Sequence, residues 1–145
     1  MNTVFLFIAM FFAGVTVAVQ PSINARLAQK VGVVESSFFS FLVGTLAMLV
    51  VVLVSGRGSL KAVTGASWWE LTGGLLGAFF VSMTIVAVPR IGTASTMAAV
   101  ITAQLITGLA LDRSGLFGLR IIPLDAPRIL GAALLLTGAF LIFKR

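Results

Sequence analysis

Five apolar runs, each close to twenty residues long, constrain this chain more than any other feature; they cover about residues 4–28, 34–54, 68–88, 94–111 and 127–143. A helix rises about 1.5 Å per residue, so about twenty residues cross the roughly 30 Å hydrocarbon layer of a bilayer. Inside that layer the backbone must satisfy its own hydrogen bonds, which a helix does within one segment. The expected fold is an all-α integral membrane protein with five transmembrane helices in one domain, residues 1–145. Composition agrees: 59% of the 145 residues are apolar, and only ten basic and four acidic side chains are present. The mean hydropathy is +1.16, far outside the range of soluble domains. The start, Met1-Asn2-Thr3, lacks the basic residues of a secretory signal, so the first run is expected to remain as a helix.

Several function classes drop out. With neither cysteine nor histidine, the chain has no thiolate or imidazole metal site and no Ser-His or Cys-His catalytic pair. No enzyme, cofactor or metal is expected. The net charge of +6 comes from basic residues scattered singly among short loops, which suits anchoring at anionic headgroups and not nucleic acid.

The polar residues inside the runs are the informative ones. Thr16, Gln20 and Asn24 fall at i, i+4 and i+8, so they stack along one face of the first helix. Pro21 lies within that stripe; it has no N–H for Val17 and its ring crowds that carbonyl, so a kink and a spare acceptor are expected. The fourth helix carries Thr96, Gln104 and Thr107 on roughly one face. An amide inside an apolar helix is costly unless it meets protein or water. These amides therefore either hold helices together or line a polar cavity that contacts cargo.

Other motifs read as architecture. Gly32 supplies a turn and C-cap after the first helix. Glu35 opens the second helix, where the dipole favours an acid, with a proton or cation site as the alternative. The loop from Ser55 to Lys61, with its glycines, serines and positive charge, belongs in water. Ser67-Trp68-Trp69-Glu70 matches a capping box set in an aromatic belt. Gly73 and Gly77 form a GxxxG step for close helix packing. The third helix is expected to stop at Pro89-Arg90, Thr93 to cap the fourth, and Asp125 to cap the fifth ahead of Pro127. Asp112-Arg113 is expected to form an ion pair or meet headgroups, and Lys144-Arg145 to anchor the C-terminus.

Taken in order, Gln20-Pro21-Ser22-Ile23-Asn24-Ala25-Arg26-Leu27, then Gly73-Gly74-Leu75-Leu76-Gly77-Ala78-Phe79-Phe80-Val81, Pro89-Arg90-Ile91-Gly92, Ala103-Gln104 and Leu111-Asp112-Arg113-Ser114-Gly115-Leu116-Phe117-Gly118 resemble the YdcZ-like branch of the drug/metabolite transporter superfamily. The resemblance implies a multi-pass protein of the bacterial inner membrane, with half as many helices as the ten-helix transporters and related to the four-helix small multidrug resistance proteins. It further implies a dimer, a ten-helix unit around a central cavity, with the fifth helix peripheral. One departure stands out. The small multidrug resistance proteins place a glutamate in the middle of their first helix, where this chain reads Phe11-Phe12-Ala13-Gly14-Val15-Thr16. A neutral, zwitterionic or anionic cargo is expected in place of a lipophilic cation exchanged for protons.

Basic residues divide evenly between the two sides. Arg57, Lys61, Arg113, Arg120 and Arg128 fall on the side of the N-terminus, and Arg26, Lys30, Arg90, Lys144 and Arg145 on the other. Orientation follows the Lys/Arg excess, so insertion in both senses is expected, and two opposed copies would recreate the inverted repeat of secondary transporters. The expected function is a small-molecule transporter working as an antiparallel homodimer or a heterodimer with a paralogue, its cavity lined by Thr16, Gln20, Asn24, Gln104 and Thr107. The alternatives are a non-transporting subunit of a larger membrane partner and, close to the first, a lipid-flipping half-transporter.

Overall fold

In the computed structural model, which describes residues 2–144, the chain is helical and has no strand among those residues. Five helices are long and apolar enough to cross a membrane: α1 (Thr3–Val31), α2 (Val33–Ser55), α3 (Gly73–Ile91), α4 (Thr93–Ser114) and α5 (Ala126–Phe143). Met1 and Arg145, which entered the readings of the two chain ends, lie outside the described residues. The chain divides into two compact units, Met1–Arg90 and Ile91–Arg145.

In the first unit α1 and α2 form a tight helical hairpin. Asn2 caps α1 by accepting from the Val4 N–H at 3.1 Å. At 29 residues α1 measures about 44 Å, longer than the hydrocarbon layer, and it carries Arg26 and Lys30 near its C-terminal end. The helix runs on through Pro21, whose ring is fully buried. Gly32, at φ +101°, closes α1 with an N–H to the Ala28 carbonyl at 2.9 Å and at once begins α2. The Glu35 carboxylate folds back onto the place a Cβ of residue 32 would fill. Glycine is needed there twice, for the positive φ and for that carboxylate.

After α2 the exposed segment around Gly56 to Lys61 leads into a 3-10 turn, Leu60–Gly65. A second 3-10 turn, Trp68–Thr72, precedes α3; the Ser67 N–H donates to Glu70 Oε2 at 2.6 Å and the Glu70 N–H to the Ser67 carbonyl at 3.0 Å. The expected helix start is therefore present, wound more tightly than an α-helix. Pro89 does not end α3, which continues to Ile91; as with Pro21 in α1, the helix gives up the one bond its missing N–H would make and runs on.

In the second unit α4 and α5 pack against each other. Thr93 is not the cap of α4. Gly92, at φ +82°, holds that position, and the Thr96 N–H and hydroxyl both donate to its carbonyl, at 3.1 and 2.8 Å. The α4–α5 connection is pinned where it leaves α4: Gly115 is left-handed, Ile121 covers it, and the Ile122 N–H donates to the Asp112 carbonyl at 2.8 Å. Asp125 Oδ1 accepts from the Arg128 N–H at 3.0 Å and caps α5.

Few apolar side chains are buried: Ala25, Val81 and Ile85 in the first unit, Ala98 and Ala132 in the second. Large ones such as Phe7, Phe11, Val54, Leu75 and Phe140 stand exposed. Contiguous apolar surface of that extent is tolerated only against lipid or another membrane protein.

Candidate functional site

The polar stripe of α1 meets a matching row on α2. Asn24 Nδ2 donates to Ser40 Oγ at 3.1 Å, and Gln20 Nε2 reaches the same oxygen at 3.5 Å. Ser36 Oγ donates to the Asn24 carbonyl at 2.8 Å. Pairs 24–36 and 20–40 run in opposite senses, as two antiparallel helices require. α3 joins this network through Ser82, whose hydroxyl donates to Ser37 Oγ at 2.9 Å, and Ser37 in turn donates to the Val33 carbonyl at 3.0 Å.

Burial separates the two amides. Asn24 is 7% exposed and Ser36 is 0% exposed, so their bonds lie in a dry contact between helices. Gln20 is exposed, and its bond to Ser40 is at the outer limit for such an interaction. It stands on the rim of a groove of about 450 Å³ lined by Ser40, Phe41, Gly44, Thr45 and Met48 of α2. Thr16, one turn back, donates to the Ala13 carbonyl at 2.7 Å; its oxygen keeps lone pairs free to accept.

In the second unit Gln104 is exposed and makes no hydrogen bond among the described residues. It lies on a groove of about 360 Å³ between α4 and α5, which runs along Gly108 to Asp112 and faces Arg128, Gly131 and Ala132. Thr107 is exposed and does not line that groove. At about 100° per residue it stands roughly 60° around the helix from Gln104, on the far side from Gly108. Thr96, on the same line as Thr107, is buried and bonded to its own helix.

The α3 glycines differ. A Cβ at Gly77 would stand 3.4 Å from the Phe41 ring, whereas one at Gly73 would meet nothing within 4 Å. All four acids sit at helix ends: Glu35 in the first turn of α2, Glu70 on Ser67, Asp125 capping α5, and Asp112 paired with Arg128 at 3.1 Å. The partner of Asp112 is thus Arg128, sixteen residues on, and not its neighbour Arg113. Among the described residues no three acidic, histidine or cysteine side chains come together.

The α2 serines are absent from the expected cavity residues, although Ser36 and Ser40 repeat the four-residue spacing of Gln20 and Asn24 and lie where an antiparallel partner would place them. The Asp112–Arg128 pair joins two helices across a loop, and no local spacing announces it.

Residues 5–141 match the model of the family described as "Putative inner membrane exporter, YdcZ". The chain is 34% identical over 138 residues to the inner membrane protein YdcZ of Escherichia coli (strain K12), covering 92% of this chain and 91% of that protein. No solved structure matches it. On these two matches, each over nearly its whole length, and with five helices able to cross a membrane, the chain belongs to the YdcZ family of the drug/metabolite transporter superfamily and is a multi-pass inner membrane protein.

Proposed function

We propose that the chain is half of a transporter for a small neutral, zwitterionic or anionic solute, metabolite-like or drug-like. Two copies in opposite orientation form a ten-helix unit that works by alternating access through a central cavity. The observation that carries this reading is the division of polar groups: all four acids sit at helix ends, while the polar side chains along the spans are amides and hydroxyls. Amides bind solutes through hydrogen bonds and have no proton to exchange near neutral pH.

Within the cavity wall Gln20 and Gln104 contact cargo, because both are exposed on spans and are weakly bonded or unbonded. Thr16 and Thr107 add acceptors and donors beside them. Asn24 holds α1 to α2 and positions Gln20. The test is flux of neutral, anionic and cationic dyes of similar size into inverted vesicles. Neutral or anionic dye is expected to move, and Gln20→Leu and Gln104→Leu to abolish that flux while the cross-linked dimer persists. Collapse of the dimer in either variant would make those amides packing residues. Absence of any flux, together with a foreign protein co-purifying in stoichiometric amount, would favour the non-transporting subunit.

A further inference from the structure

We propose that the groove between α4 and α5 is a binding site for an ethanolamine phospholipid, held by Arg128 on its phosphate and by Asp112 on its primary ammonium, with one acyl chain lying along Gly108 and Gly131. Gln104 lines the end of the same groove furthest from the ion pair, and nothing below depends on its role.

The groove follows the two helices lengthwise, lined from Gln104 to Asp112 on α4 and from Arg128 to Leu135 on α5. Gly108 on α4 and Gly131 on α5 both line it, and a Cβ added at either would meet open space. Leu105, Leu109 and Leu135 supply aliphatic walls. An acyl chain gains little by leaving the bilayer for such a groove, since both surroundings are apolar. Selectivity must therefore come from the headgroup end.

That end is built for two charges. Asp112 lies in the last turns of α4 and Arg128 in the first turn of α5, which sets both at headgroup level. Their contact is end-on, one Nη1 to one Oδ2 at 3.1 Å, and each side chain is 37% exposed. Arg128 Nη2 and Nε and Asp112 Oδ1 bond to nothing among the described residues. The mouth thus offers cationic donors beside an anionic acceptor. An anionic headgroup without an ammonium would meet the Asp112 carboxylate as a like charge. A quaternary ammonium has no proton to donate. A primary ammonium next to a phosphate satisfies both sides with charge-assisted hydrogen bonds.

The experiment is native mass spectrometry of delipidated protein in detergent, given phosphatidylethanolamine, phosphatidylcholine or phosphatidylglycerol in turn. One phosphatidylethanolamine per chain is expected to be retained about tenfold better than either other lipid, the effect of about one charge-assisted hydrogen bond. Arg128→Gln and Asp112→Asn are each expected to erase that preference. Gly108→Leu keeps the ion pair and fills the groove, so it should release the lipid without lowering the melting temperature in lipid-free detergent. Equal retention of the three lipids, preference for phosphatidylglycerol, or undiminished retention by Gly108→Leu would overturn the proposal. Should the charge variants fail to fold, Gly108→Leu alone decides.

Discussion

Asn24 and Gln20 are the same chemistry one helical turn apart, yet their surroundings differ. Asn24 is buried, bonds to Ser40 and accepts from Ser36 through its carbonyl, whereas Gln20 is exposed and holds Ser40 only at 3.5 Å. Interhelical hydrogen bonds inside membranes contribute about 0.6 kcal/mol on average and about 1.7 at most, because the unfolded chain in lipid also finds partners. Asn24→Leu and Ser36→Ala are therefore each expected to lower stability by about 0.6 to 1.7 kcal/mol, read by reversible unfolding in mixed micelles. Gln20→Leu should leave the unfolding midpoint nearly unchanged, and equal losses at 20 and 24 would show that both amides are structural. The stripe itself was legible from spacing alone, since 16, 20 and 24 share a face on any helix. Which amide packs and which stays open was not, because that depends on Ser36, Ser40 and the depth of α2 beside each position.

At the scale of elements, α3 shows how little a glycine motif says until its neighbour is known. Gly77 lies against Phe41 of α2, with the place of its missing Cβ 3.4 Å from the ring, while the space beside Gly73 is open. Gly77→Leu must push the ring aside, and overpacking of this kind costs about 1 to 3 kcal/mol; the loss should appear in the unfolding of a single chain. Gly73→Leu is expected to leave that unfolding unchanged or slightly more stable, since leucine forms helix better than glycine. If Gly73→Leu nevertheless weakens cross-linking between two copies, the open half of the motif faces a partner. The five helices themselves were legible, with ends displaced by a few residues, because bilayer thickness fixes the length of an apolar run. The misplaced boundaries have local causes. Pro89 costs α3 one hydrogen bond without stopping it, and the Gly92 carbonyl rather than the Thr93 side chain organises the start of α4.

For the whole molecule the open question is orientation, and the structure sharpens the charge argument without changing its balance. Arg26 and Lys30 lie near the C-terminal end of α1, a helix longer than the hydrocarbon layer is thick, so they count as headgroup-level charges. Arg128 is matched by Asp112, yet acids contribute little to the choice of orientation, so it still counts on its side. Five basic residues then face each side. Equal counts predict equal insertion in both senses, the condition for one short chain to supply both halves of an inverted repeat. The natural chain has no cysteine, so a single Ser59→Cys in the exposed α2–α3 connection reports one side cleanly. Intact cells labelled with a membrane-impermeant maleimide, and labelled again after permeabilisation, should show about half of the protein reacting from outside. A second variant tests the cause: Thr64→Lys adds one charge to the same connection and is expected to shift labelling of Ser59→Cys towards the cytoplasmic side. One-sided labelling of Ser59→Cys alone would rule out the antiparallel homodimer and leave a parallel assembly or an oppositely oriented paralogue to seek. A half-and-half result that Thr64→Lys leaves unmoved would mean that something other than basic charge sets the two orientations.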